Sequence, residues 1–195
     1  MIMTDATKDI LIGIDAGTSV IKAVAFELSG RQIGVASVKN TYSSSTDGSV
    51  TQPLDRTWND CARVLRELGD VVQNLPQRAA AIGVTAQGDG TWLVGQNDAP
   101  VTDGWLWLDA RAAPTVRRLS AGANERSRFE ATGTGLNTFQ QGAQLAHILD
   151  TAPELLAKAE TALHCKDWLY LKLTNVRATD PSEASFTFGN FRTRR

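Results

Sequence analysis

Apolar runs broken at short intervals open the chain. Positions 9 to 27 read DILIGIDAGTSVIKAVAFE: the run Ile10-Leu11-Ile12-Gly13-Ile14 ends on Asp15, small residues turn the chain, and a second run carries one cation, Lys22. This pattern predicts a strand to Asp15, a second over Val20 to Leu28 and, after Ser29-Gly30, a third over Gln32 to Val38, an antiparallel meander. Thr41 to Ser49 (TYSSSTDGS) is low in complexity and is expected as an exposed, mobile loop. Asp55 stands where it would cap a helix with the apolar stripe Trp58, Cys61, Ala62, Leu65, Leu68 and Val72, and Pro76 lies beyond its end. Ala79 to Thr85 is continuously apolar, the pattern of a strand covered on both faces. Thr91 to Val94 predicts a further strand, turned by GQND.

From Arg111 the spacing becomes helical. Thr151-Ala-Pro-Glu154 has the form of a capping box with proline near the first turn, and Lys166 to Leu173 predicts a short helix. Ala184 to Phe191 alternates as a strand does. There is no internal repeat and no linker. The fold class is α/β, opened by a three-stranded meander.

Composition narrows the functions. The 195 residues suit one domain or slightly more, with 42% hydrophobic and 21% charged residues, an ordinary globular balance. A formal net charge of -1 gives no electrostatic reason to expect nucleic acid or an acidic membrane surface. No apolar stretch reaches bilayer length and the N-terminal residues lack a secretory core, so a cytoplasmic protein is expected. Cys61 and Cys165 are isolated and read as buried thiols of a reducing compartment, not as metal ligands. His147 and His164 are also isolated and are given no catalytic role.

The chemistry gathers at the opening turn. A strand ending in Asp15 brings a carboxylate to the end of a sheet where α/β folds bind ligands. Gly17 lets backbone approach a ligand, and Thr18 and Ser19 offer hydroxyl and N–H donors to phosphate oxygens. A bare acid beside an anion repels it unless a cation intervenes; Mg²⁺ fits, since it prefers carboxylate, water and phosphate oxygens. Lys22 then supplies a point charge. The residue types alone also fit a plain hairpin with Asp15 and Lys22 in solvent.

IGIDAGTSVIKAVAFELSG resembles the first phosphate motif of the sugar-kinase, Hsp70 and actin superfamily, whose domains are ribonuclease-H-like. AIGVTAQGDGTWLVG (81–95), WLWLDAR (105–111), TGTGLNTFQQGAQLAHIL (132–149), KDWLYLKLTN (166–175) and ATDPSEASFTFGNF (178–191) resemble, in order, the motifs of the FGGY carbohydrate kinases, which include kinases of glycerol, xylulose and erythritol. The resemblance implies that residues 1–195 form most of an incomplete N-terminal domain, the phosphate- and polyol-binding half, with the C-terminal ATP-binding domain absent from this chain.

It further implies Mg²⁺ at Asp15, ATP phosphates at Gly17, Thr18, Ser19 and Lys22, and a small polyol or sugar at Gln87, Gly88, Asp89, Trp107 and Phe139. Lys22 stands where the family often has arginine, which trades a bidentate fork for a point charge. Asp89 stands where glycerol kinases carry glutamate and xylulose kinases histidine; a carboxylate there accepts from neighbouring hydroxyls. Phe139 stands where glycerol kinases offer a tyrosine hydroxyl. Residue by residue, other readings stay open: Gly88-Asp89-Gly90 is also good turn chemistry, at least one of Trp105 and Trp107 is expected in the core, and Phe139 suits packing. Asp109 and Arg111 read as a structural ion pair.

The resemblance places the general base, an aspartate in a later glycine-rich motif, past residue 195, so this chain alone is expected to be inactive and to lack covering elements for its sheet. ATP phosphorylation of a terminal hydroxyl of a small polyol, erythritol first, is the expected activity of the full-length protein. The alternatives are another sugar or polyol of the family, or a non-catalytic half-domain binding module. A homodimer of the full-length protein is left open.

Overall fold

A computed structural model describes residues 8–122, 124–187, 189–190 and 193. The chain divides into two compact units, one comprising Met1–Thr41 and Arg56–Gln87, the other Tyr42–Asp55 and Gly88–Arg195.

The first unit carries the meander: β1 (Ile10–Ala16), β2 (Val20–Glu27) and β3 (Gln32–Lys39) pair antiparallel in sequence order. Alternation sets the faces, since Ile10, Ile12, Ile14 and Ala16 are buried while Leu11 and Asp15 are exposed. Helix α1 (Leu54–Val71) is the crossover that lets β6 (Ala79–Ala86) join β1 in parallel, giving the sheet order β3-β2-β1-β6. Gly34 of β3 is required by the packing: a Cβ there would lie 2.4 Å from Val72 Cγ2 at the end of α1.

Several expectations change here. Asp55 lies in the first turn of α1 rather than before it, and the buried stripe runs through Thr57, Cys61, Val64, Leu68 and Val72. Val64 replaces Ala62 because the fully buried face is rotated from the predicted stripe. The short helix α2 (Leu75–Arg78) has Pro76 within it, at its start, where the lost N–H costs nothing. β6 is not covered on both faces: it is an edge strand with Ile82 45% exposed. An apolar composition marks the strand but not how many neighbours it has.

The second unit contains β4 (Ser43–Ser44), β5 (Val50–Gln52) and β8 (Gly104–Trp105) in one small sheet, and β7 (Trp92–Val94) with β9 (Thr161–Leu163) in another. The predicted loop over 41–49 is therefore a hairpin, closed by Ser45 N–H to Ser49 O at 3.0 Å, with Asp47 Oδ1 accepting from Ser49 N–H at 2.9 Å. Helices α3 (Ala113–Ser120), α4 (Glu125–Thr132), α5 (Gln141–Thr151) and α6 (Pro153–Lys158) follow. Leu93, Trp105 and Ile148 form a core against which Leu145, Leu155 and Leu156 pack.

The predicted capping box at 151–154 does not form. α5 runs through Thr151, whose hydroxyl donates to His147 O at 2.8 Å, while Pro153 opens α6. Helix α7 (Cys165–Thr174) follows the expected one, and the Trp168 indole donates to Leu54 O at 2.9 Å. The strand expected over 184–191 is instead α8 (Pro181–Phe186). Asp180 caps it, accepting from the N–H groups of Ser182 and Glu183, and this cap with Pro181 outweighs the alternation. Phe188 and Phe191 lie outside the described residues. No helix of the described residues is long and apolar enough to cross a membrane.

Candidate functional site

Of the predicted site residues, Asp15, Gly17, Thr18, Ser19, Lys22 and Gln87 fall in the first unit, and Gly88, Asp89, Trp107 and Phe139 in the second.

In the first unit the turn between β1 and β2 presents the expected groups. Asp15 is exposed on the sheet face opposite α1, with Lys22 as its cross-strand partner in β2 and Thr85 as its parallel partner in β6. The carboxylate thus sits between a cation and a hydroxyl-bearing residue. Gly17 is tight, since a Cβ there would come 3.1 Å from Val20 O. The Thr18 hydroxyl donates to Gln87 Oε1 at 3.2 Å, and Gln87 N–H donates to Ala16 O at 3.0 Å. The residue after β6 is thereby held against the turn.

Asn40 braces the same turn and was not singled out by its sequence pattern. It is buried; its amide Nδ2 donates to Gly17 O at 2.9 Å and its backbone N–H to Ser19 O at 2.8 Å. An Asn at the end of a strand is an ordinary turn residue, so only the fold reveals this role.

Among the described residues no group of three or more His, Cys, Asp and Glu side chains could hold a metal ion. A cation at Asp15 would rest on one carboxylate, completed by water and phosphate oxygens, a donor set that suits Mg²⁺.

In the second unit Asp89 occupies a left-handed turn with φ 57°, a conformation Asp tolerates. Gly90 follows at φ 78°, and a Cβ there would lie 2.4 Å from Trp105 O, so only glycine fits. Gly90 N–H donates to Phe139 O at 3.0 Å, which brings the Asp89 turn and Phe139 together. Trp107 is 44% exposed, whereas Trp105 is buried beneath the Arg111 guanidinium at 3.4 Å. Of the two tryptophans, Trp105 is the core residue. Arg111 pairs bidentately with buried Asp109, which also accepts from Val50 N–H at 2.9 Å, so this ion pair is structural.

Behind Asp89 lies a charged cluster that local sequence pattern does not announce. Glu183 Oε2 accepts from Asp89 N–H at 3.3 Å, and Gly88 sits beside the same carboxylate. Burial, then the charge of Glu183, push the Asp89 carboxyl up to about 6, against the opposing charge of His164. Lys166 bonds Asp180 at 2.6 Å and faces Glu183 and Asp167 at 3.7 and 3.4 Å. Burial opposes its charge, but the Asp180 bond and these acids leave its ammonium above the usual lysine range. Burial likewise works against Asp167, yet bonds from His164 and the Lys166 charge hold its carboxyl below the usual range. The cap signature Asp180-Pro181 was the one signal that could have located Glu183. Cys61 and Cys165 are both buried and free, and burial pushes the Cys61 thiol up to about 12.

Residues 10–193 match the N-terminal domain of the FGGY family of carbohydrate kinases. The chain belongs to that family. It is 71% identical over 186 residues to the erythritol kinase of Brucella abortus (strain 2308), covering 95% of this chain and 36% of that protein. It is 30% identical to the glycerol kinase of Nocardia farcinica, covering 89% of this chain and 36% of that protein. The solved structure of xylulose kinase from Rhodospirillum rubrum superposes with a TM-score of 0.88 at 24% identity, over 93% of this chain and 37% of that one. That likeness shows a shared α/β fold. The chain spans a little over a third of the length of these curated relatives.

Proposed function

We propose that the full-length protein transfers the γ-phosphoryl group of ATP to a terminal hydroxyl of a small polyol, with erythritol as its first substrate, and that this chain is the larger part of its N-terminal domain. Support comes from Asp89, an acceptor with a buried, partnerless Oδ1 set in a left-handed turn, in a chain so similar to an erythritol kinase. Two polyol hydroxyls donating to this carboxylate would recover the cost of burying it. Within the second unit Gly88, Trp107 and Phe139 complete the polyol side, with the Trp107 ring offered to the C–H face.

On the phosphate side Ser19 donates to phosphate oxygens, the Thr18 hydroxyl exchanges its bond to Gln87 Oε1 for a phosphate oxygen when ATP binds, Gly17 admits the close approach, and Lys22 adds a positive charge. Asp15 would hold Mg²⁺, which when bound neutralises phosphate charge. The general base comes from outside these residues. Positioning of both reactants carries most of the rate in such a transfer.

Coupled-assay turnover of the full-length protein with erythritol, glycerol, xylitol, xylulose and ribulose tests the reading. The expected result is the highest kcat/KM for erythritol. A ketose preferred over every polyol would overturn the substrate while leaving the kinase class intact.

A further inference from the structure

The charged cluster behind Asp89 is built around one carboxylate. Glu183, 8% exposed, holds the Asp89 backbone N–H with Oε2, and the same oxygen lies 3.5 Å from His164 Nε2. His164 is 2% exposed, and its Nδ1 donates to Asp167 Oδ2 at 3.0 Å. That bond orients the ring so that Nε2, which has no hydrogen-bond partner, is aimed at Glu183. Lys166 approaches Glu183 from α7 and ties it to Asp180 at the start of α8. The Oδ1 atom of Asp89 is also buried without a partner. Two acids therefore meet at the turn, one fully engaged by the protein and the other with acceptor capacity unused.

We propose that Glu183 is a positioning residue for polyol binding: it fixes the Asp89 turn and, with its charge, sets the pH range over which Asp89 reads the polyol. This rests on the polyol reading of Asp89. The titratable and charged groups facing the pair are His164 and Lys166 directly, with Asp167 and Asp180 behind them. A like charge beside Asp89 favours its protonated form, and a protonated carboxyl loses acceptor capacity for hydroxyls. Polyol KM then falls as pH rises through about 6.

Glu183→Gln in the full-length protein keeps the shape and removes the charge. The inflection in polyol KM moves to lower pH by roughly half a unit or more, and the change is carried by KM far more than by kcat. Glu183→Asp retains the charge and keeps the inflection near its wild-type position, and Asp89→Asn abolishes it in both backgrounds. The carboxyl titration of Asp89, followed by ¹³C NMR in the full-length protein and assigned with Asp89→Asn, shows the same displacement without any turnover. An unmoved titration in Glu183→Gln overturns the proposal, as does an equal loss of kcat and affinity at every pH. A displaced titration in a protein that turns over no polyol supports the Glu183–Asp89 coupling and assigns the failure to the substrate reading.

Discussion

The Thr18 hydroxyl donates to Gln87 Oε1 at 3.2 Å, so a residue expected on phosphate and one expected on the polyol touch each other. The bond ties the β1–β2 turn to the end of β6. Thr18→Val removes the donor at nearly constant volume, at a cost of about 1 kcal/mol. If the bond orients both residues, KM rises several-fold for ATP and for polyol alike, and Thr18→Ser restores both. Steady-state kinetics with each substrate varied in turn check this. An effect confined to ATP would mean that Gln87 does not depend on Thr18.

Asn40 predicts a separable phenotype. Asn40→Ala removes the amide that holds Gly17 O at 2.9 Å and leaves a half-buried carbonyl without it, a penalty of about 1 kcal/mol. The loosened turn raises the KM for ATP while the polyol KM stays near wild type. Asn40→Asp is worse, because a carboxylate then faces the Gly17 carbonyl. Equal changes in both KM values would contradict a local brace.

The Asp89 carboxyl titrates at about 6, raised first by burial and then by Glu183. A carboxyl whose folded value lies above its unfolded one adds stability below its ordinary range and loses that stability as pH rises through about 6. Asp89→Asn therefore raises stability at about pH 8, by on the order of 1 kcal/mol once solvent screening is allowed for, with a correspondingly higher Tm, and leaves both unchanged at about pH 4. Asn also tolerates the left-handed turn. Thermal melts at the two pH values, set beside polyol KM, should show a more stable and poorer enzyme. A lower Tm at both pH values would place Asp89 among the structural residues instead.

How much of this was legible follows from the range of each signal. The meander was, because alternation in β1 and β2 is local and one face is buried. The end of the chain was not: Asp180 and Pro181 start a helix, but the residues after them alternate as a strand would. The hairpin over 43–52 is short and polar, so composition resembles a loop. The two tryptophans alternate in a short apolar run, which says that at least one is buried, but only the fold, with Arg111 stacked on Trp105, says which. Glu183, His164 and Asp89 are far apart in sequence and share no spacing, so their meeting is a property of the fold alone.

Asp15→Asn in the full-length protein tests the account most directly, through kcat with a saturating polyol. The substitution keeps the shape of the β1 terminus opposite Lys22 and removes the charge proposed to hold Mg²⁺. The account predicts a fall in kcat of roughly a hundred-fold or more with little change in polyol affinity, which the proposed function assigns to Asp89 and Trp107. A kcat within a few-fold of wild type would contradict it and leave the opening turn a plain hairpin.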